Sequence, residues 1–344
     1  MLEVDGAHGE GGGQLLRMAV ALSAMTQTPV RIVRIRAGRP NPGLAAQHAT
    51  AVKGLASLCG AKTSGLEVGS STLEFQPGAI ESGRYAFDVG TAGAVTLVLQ
   101  AILPAAALAP APVRVRLTGG TDVRWSPPID YFTRVFLPLL RRIGVHVDIE
   151  VIRRGYYPRG GGIVEATIEP RSTWSPLLLG DPSDLRRVRG IAHVSNLADD
   201  IPKRMKHAAI RRLHGQEDVK IEERVYRGEE AIAQGGALVL WAESEETLLG
   251  SDSLAERGKP SERVGEEAAR SLLTEIESRA ALDVHAADQL LVYLARADGP
   301  SEISVREVSG HMETMIWLLP QFLPCRFKVV RDGPRSRVRV EPKA

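Results

Sequence analysis

The chain has little cysteine. Cys59 and Cys325 are the two it carries in 344 residues, too few for a disulfide framework and without the spacing of a metal site. A reducing compartment follows, and a cytoplasmic home is expected. Long apolar runs are missing as well: none reaches the roughly 18 to 20 residues of a membrane span. The start, with Asp5 and Glu10 among glycines, has no signal-peptide pattern. No membrane partner is expected. Nor is one sign of charge in excess. Forty-three Lys plus Arg against 41 Asp plus Glu leave a formal charge of +2, which excludes the blanket positive field of a nonspecific nucleic-acid coater. A polyanion has to be met locally. Three nucleotide-handling signatures are also absent. The Walker pattern does not occur, the Gly-x-Gly-x-x-Gly pattern fails because Gln14 occupies the third glycine's place, and there is no Lys-x-Asp-Gly. A bound nucleotide would need another kind of site.

What is plentiful is glycine, 34 residues of 344 against a usual ~7%, clustered beside helix starts. A length of 344 residues gives a prior of roughly two domains, and repetition within the chain refines it. The first copy of the repeat is a glycine-rich turn, a helix over Leu15 to Met25, a strand over Val30 to Arg36, a helix over Leu44 to Cys59, and two short strands ending near Phe75. The second runs from Gly90-Thr91-Ala92-Gly93 through a helix over Ala94 to Leu103, a strand over Val113 to Leu117, a helix over Pro128 to Ile143, and strands over His146 to Ile152 and Val164 to Ile168. The third has a helix over Ala287 to Ala297, a strand over Glu302 to Val308, a helix over His311 to Phe322, and strands over Arg326 to Val330 and Arg337 to Val340. Val113, Val115 and Leu117 alternate with Arg114 and Arg116, as in a half-buried strand. Met312, Met315, Ile316 and Leu319 form a helical stripe. The fold class expected is α+β: three units, each a four-stranded sheet with two helices on one face.

The stretch 184–278 breaks the pattern and reads as an inserted α+β domain, leaving 1–183 and 279–344 as the large domain. Within it helices are expected over Lys203 to Leu213 and Pro260 to Glu277, and strands over Val219 to Val225 and Gly236 to Ala242. Gly250 to Lys259 reads as a solvated loop.

Candidate chemistry gathers at the turns. Successive glycines in Gly9-Glu10-Gly11-Gly12-Gly13-Gln14 let backbone N–H groups converge at a helix start, where the dipole favours an anion. Glu10 is an awkward neighbour for a phosphate unless a divalent cation lies between them; the alternative is that Glu10 only charges the first helical turn. The second turns of the three copies offer Arg36, Arg39 and Asn41; Thr121, Asp122, Arg124 and Pro127-Pro128; and Ser309, Gly310 and His311. Sharing one cleft, they would set basic groups around a single imidazole. At a helix start the dipole disfavours the cation, which makes His311 a nucleophile able to form a phosphoramidate. Seven other histidines dilute that signal. His48 and His193 read as packing residues, and His146, His207 and His214 as surface positions.

Asp5 through Gln14, Arg36-Ala37-Gly38-Arg39 with Pro42-Gly43-Leu44 and Gln47-His48, Gly119-Gly120-Thr121-Asp122, Tyr156 through Gly162, Ala287-Asp288-Gln289 and Ser309-Gly310-His311 closely resemble RNA 3′-terminal phosphate cyclases. The resemblance covers nearly the whole chain. It implies three units like those of enolpyruvyl transferases and of a translation initiation factor's carboxy-terminal domain, with the small domain inserted in the third. It also implies ATP and RNA 3′-phosphate ends as substrates, Mg²⁺ or Mn²⁺ as the metal, and cyclisation of the RNA end through AMP carried on His311. Glu10 becomes the metal ligand. Gln100, Pro128, His285, Ala286, Ala287, Asp288 and Gln289 become the nucleotide site, with Pro128 against one adenine face; His285 stands where many relatives have tyrosine. Arg36, Arg39 and the Arg153-Arg154/Arg159 group are the RNA-phosphate candidates. A noncatalytic cyclase-like RNA-binding or ribosome-assembly factor is the competing reading, and such relatives lack the nucleophilic histidine. Enolpyruvyl transfer rests on fold analogy alone.

Overall fold

The computed structural model describes residues 1–181 and 184–342. In the first unit β1 (Leu2–Asp5), α1 (Gly13–Thr26), β2 (Val30–Val33), α2 (Ala46–Leu58), β3 (Lys62–Ser64) and β4 (Leu73–Gln76) follow in sequence. Their sheet has the order β1-β2-β4-β3, with β1 and β2 parallel and the remaining pairs antiparallel. The second unit repeats this with β5 (Gly83–Asp88), α3 (Val95–Ala106), β6 (Val113–Gly119), α4 (Ile129–Tyr131), a π-helical turn (Phe132–Phe136), α5 (Leu137–Ile143), β7 (Val147–Arg153) and β8 (Gly162–Ile168). The order β5-β6-β8-β7 is the same. The third unit opens with the two-residue β9 (Leu178–Leu179), after which the chain leaves for the insert.

The insert holds β10 (Arg187–Ser195), α6 (Asp200–Arg212), β11 (Val219–Tyr226), β12 (Gly235–Glu243), β13 (Leu248–Leu254) and α7 (Ser261–Glu277). Its sheet order is β11-β10-β12-β13, over a core that includes Val188, Leu238, Leu240, Val264 and Leu272. The chain then completes the third unit with α8 (Val284–Leu294), β14 (Ser301–Val305), α9 (Gly310–Leu318), β15 (Cys325–Asp332) and β16 (Arg335–Pro342). There β14 runs parallel to β9, as β2 does to β1. Helices of the three units pack on one another, α1 against α3 and α9, and α3 against α8, within one continuous apolar core.

The sequence pattern starts the first two units at their glycine turns and the third at its helix, and so omits β1, β5 and β9, which are short or lie at sheet edges. The helix expected over Pro128 to Ile143 carries a π turn; Pro138 lacks the N–H that would bond the carbonyl four residues back. Gly250 to Lys259 is corrected in its first half. Residues 250–254 belong to β13 and pair with β12. Its inward side chains are serines, with Ser251 Oγ donating to the Ala268 carbonyl, so no apolar alternation marks the strand. The expected boundary at residue 183 lies outside the described residues.

A buried ion cluster ties the insert to the second unit. Arg154 donates to both oxygens of Asp130 at 2.8 Å and to Asp122 at 3.3 Å, and its guanidinium lies over the Tyr226 ring. His193 Nε2 is 3.6 and 3.5 Å from the same two carboxylates, while its Nδ1 pairs with the Tyr156 hydroxyl at 3.0 Å. Burial alone would raise the Asp122 carboxyl, but Arg154 and then His193 hold it well below the usual range. One expectation changes here: Arg154 is enclosed by carboxylates and cannot meet RNA phosphate. His193 is buried, as expected of a packing residue.

Candidate active site

Two helix starts converge. The turn before α1 ends on Gly12, which gives the helix no side-chain cap. A side chain at Gly13 would meet His48 Nε2 at 2.0 Å, so glycine there admits the imidazole against the helix start. His48 Nδ1 accepts from the Ala45 N–H at 3.1 Å. Burial, with Arg17 and Arg36 nearby, pulls its pKa down to about 3. It is therefore neutral. At α9 the cap is Ser309, whose Oγ accepts from the Met312 N–H at 3.0 Å and donates to Asp288 Oδ1 at 2.7 Å. Gly310 leaves room for Glu10, whose Oε1 would lie 2.7 Å from a Cβ at that position.

His311 follows in the first turn of α9, with its side chain 45% exposed. Its Nδ1 is 2.6 Å from Glu10 Oε2. A carboxylate only accepts, so Nδ1 carries the proton and Nε2 keeps its lone pair. Burial is the largest influence on this imidazole and lowers its pKa below the ordinary 6.5; Glu10 opposes that, while Arg17, His285 and Arg39 add to it. The neutral state expected from the helix dipole thus has burial as its main cause. Arg39 donates to the Glu10 carbonyl at 3.0 Å and lies 3.8 Å from its carboxylate. Arg36 donates to the Gly43 carbonyl at 2.9 Å, and burial, then Arg39 nearby, lower its pKa.

The expected nucleotide residues fall beside this centre. Gln100, midway along α3, donates to the Gln289 side chain on α8. Asp288 is buried, which raises its carboxyl to about 7, and it reaches the α9 cap through Ser309. His285 is exposed on the first turn of α8. Ala286 and Ala287 are wholly buried, and their N–H groups bond to Asp283, the α8 cap. That same Asp283 accepts from the Tyr131 hydroxyl at 2.6 Å, which ties the start of α8 to the segment beginning at Pro128. Arg159 is not brought to this group. It lies on an adjoining cleft, where it donates to the Ile232 carbonyl at 3.4 Å.

Comparison with known proteins agrees over nearly all of the chain: the family described as RNA 3′-terminal phosphate cyclase matches residues 8–329. The chain belongs to the RNA 3′-terminal phosphate cyclase family. An RNA 3′-terminal phosphate cyclase of Nitrosospira multiformis is 50% identical over 343 residues, covering 100% of this chain and 97% of its own. That of Methanopyrus kandleri is 44% identical over 349 residues, with 100% and 99% covered. That of Pyrococcus furiosus is 42% identical over 346 residues, with both chains covered in full. Among solved structures, the enolpyruvyl transferase NikO from Streptomyces tendae is 12% identical at a TM-score of 0.25, covering 100% of this chain and 52% of its own, too distant to carry an argument.

Sequence reasoning passed over one residue of this family member's site. Arg17, on α1, is buried, and among the described residues its Nε has no hydrogen-bond partner. Burial pulls its pKa down to about 10, so it stays charged at neutral pH beside Gly13, His48 and His311. An enclosed cation without a carboxylate calls for an anion. The signal was there: a single arginine inside Leu15-Leu16-Arg17-Met18-Ala19. Glu10 fits a magnesium-like ion, which takes one or two carboxylates together with substrate phosphates. It is partly exposed, and its second oxygen is free of the histidine. Asp122, Asp130 and His193 have the spacing of a metal group, but Arg154 already lies against both carboxylates.

Proposed function

We propose that the chain uses ATP to convert an RNA 3′-terminal phosphate into a 2′,3′-cyclic phosphodiester, with AMP carried on His311. The observation that supports this best is the His311–Glu10 pair. A carboxylate 2.6 Å from Nδ1 fixes the tautomer and ring direction, as an orienting acid does for other nucleophile-activating histidines. Nε2 attacks the α-phosphorus of ATP; a P–N bond forms, and the bond to the pyrophosphate oxygen breaks. An oxygen of the RNA 3′-phosphate then takes the adenylyl group and the P–N bond breaks. The vicinal 2′-hydroxyl loses its proton, attacks the activated 3′-phosphorus and expels AMP. That closure is intramolecular and gains from proximity, for which effective molarities reach the order of 10⁵ M.

Arg17 and Arg39 would meet phosphoryl charge from either side of the glycine turn. Gln100, Gln289 and the α8 start would hold the nucleoside, with Pro128 and His285 flanking adenine and Asp288 bracing the α9 cap. Arg36 and Arg39 would meet the RNA phosphate. Mg²⁺ or Mn²⁺ held by Glu10 would supply charge neutralisation for the leaving pyrophosphate. The segment 184–278 is proposed to be an inserted domain and 1–183 with 279–344 the catalytic body. Cys59 and Cys325 are both buried in the core, which suits a cytoplasmic location. The noncatalytic reading is disfavoured because it has no use for a neutral, carboxylate-oriented imidazole.

Incubation with ATP and Mg²⁺ should add one adenylyl group in the mass spectrum, on the His311 peptide, acid-labile and base-stable. His311→Ala should abolish it; retained label in that variant would move the nucleophile elsewhere. Because the pKa of His311 is lowered, the neutral form is lost only as pH falls below 6.5, so the acid limb of the adenylation rate should lie under that value.

A further inference from the structure

Between the second unit and the insert lies a cleft of about 1900 Å³, lined by residues that include Gly93, Asp122, Trp125, Tyr157, Gly235 and Arg257. Its rims carry the two most exposed large apolar side chains among the described residues, Trp125 at 92% and Tyr157 at 77%. Trp125 also has a φ of +61°, which a bulky side chain rarely adopts. An indole held in that conformation buries almost none of its own surface, and such outliers gather at ligand clamps. Other aromatic residues are spent on packing: Trp174, Tyr131, Tyr156 and Tyr293 are buried, and Trp317 stacks on His8.

The charge of this cleft is one-sided. Its carboxylates are already engaged, Asp122 by Arg154 and Glu256 by Arg124. Arg159, on the rim formed by the second unit, is held by a carbonyl rather than an acid. Arg257, on the insert rim, is exposed, and no ion pair engages it among the described residues. Two uncompensated guanidinium groups therefore face a channel bearing two bare aromatic rings, a combination that suits a polynucleotide backbone and its bases. One end of the cleft leads to the candidate active site. Gln47 lines it and accepts from the Ala94 N–H at 3.1 Å, and the next residue, His48, abuts Gly13. The Trp125 loop likewise continues into Pro127 and Pro128, where Thr96 Oγ1 donates to the Pro127 carbonyl at 2.9 Å. The floor is firm, since Tyr156 is anchored on His193 of the buried ion cluster.

We propose that this cleft binds the single-stranded segment of the substrate that precedes its phosphorylated end, with Trp125 and Tyr157 as base-stacking platforms and Arg159 and Arg257 as backbone contacts. This assignment rests on the cyclase reading for the identity of the end, though not for the binding itself. It makes the protein a length-sensing enzyme: an end with several unpaired nucleotides behind it is held at two places, and a mononucleotide at one.

The test compares wild type with Trp125→Ala, Tyr157→Ala, the double variant and Trp125→Phe. Three readouts are taken: ATP labelling of His311, KM and kcat on a 12-nucleotide RNA 3′-phosphate and on a nucleoside 3′-phosphate, and anisotropy of a labelled 12-mer lacking the phosphate. Each alanine should raise KM for the 12-mer roughly tenfold, the scale of one lost stacking contact. Labelling, kcat and the nucleoside 3′-phosphate should be unaffected, and Trp125→Phe should restore most of the loss. An absence of labelling in wild type would refute the cyclase reading and leave the anisotropy arm to judge the cleft. Equal 12-mer affinity in wild type and the double variant would overturn the cleft assignment and leave the aromatic pair to a protein partner.

Discussion

The molecule contains two clusters of charge built from similar residues, and they are organised in opposite ways. Around Arg154 two carboxylates, a tyrosine ring and a histidine surround the cation. Around Arg17 there is a neutral histidine, a glycine turn and a second histidine, and among the described residues no partner takes up its Nε. The first cluster is complete within the chain; the second is complete only with something added. Buried ion pairs that close on themselves hold elements in register, whereas an enclosed cation left without an acid is costly unless a ligand supplies the countercharge. The contrast locates chemistry better than the count of charged residues does.

Removing each cation should separate the two roles. Arg154→Met leaves Asp122 and Asp130 enclosed without their partner and should destabilise the fold by about 3–5 kcal/mol, read by denaturant unfolding. A loss below about 1 kcal/mol would show that the cluster is not what ties the insert to the second unit. Arg17→Met should act the other way, leaving the melting temperature unchanged or higher while slowing adenylation of His311 by roughly 100-fold or more. A marked drop in stability would make Arg17 a structural residue.

His48 sharpens the same contrast through pH. Its folded pKa near 3 lies below the unfolded 6.5, so below 6.5 the unfolded chain binds a proton that the folded chain refuses. Stability should then fall with pH between those values by up to about 1.4 kcal/mol per pH unit. His48→Asn should flatten that slope, and an unaltered acid titration would remove the assignment.

Repeats were legible because each unit restates a period-two strand and a helical stripe: Met312, Met315 and Leu319 are buried, with Ile316 half-buried. Edge strands such as β5 were not, since their half-buried alternation offers little apolar signal. Strand β13 escaped because its inward positions are serines satisfied by hydrogen bonds. In the candidate site, Glu10 and His311 could be chosen from turn chemistry, but their contact at 2.6 Å joins residues from opposite ends of the chain, which no spacing rule encodes. Arg154 and Arg159 looked alike in sequence. Burial alone tells them apart, one locked among carboxylates and the other on an open rim.

The insert interrupts the third unit between its first strand and its first helix. Leu177, at the lead-in to β9, donates to the Ser301 hydroxyl across a separation of 124 residues, so the ends of that unit meet only after the whole intervening segment has been made. Long-range closure of this kind is late and slow in folding. The part of the protein bearing His311 is thus synthesised after the first two units and the insert, and a growing chain passes through stages in which the glycine turn exists without the imidazole that would act beside it.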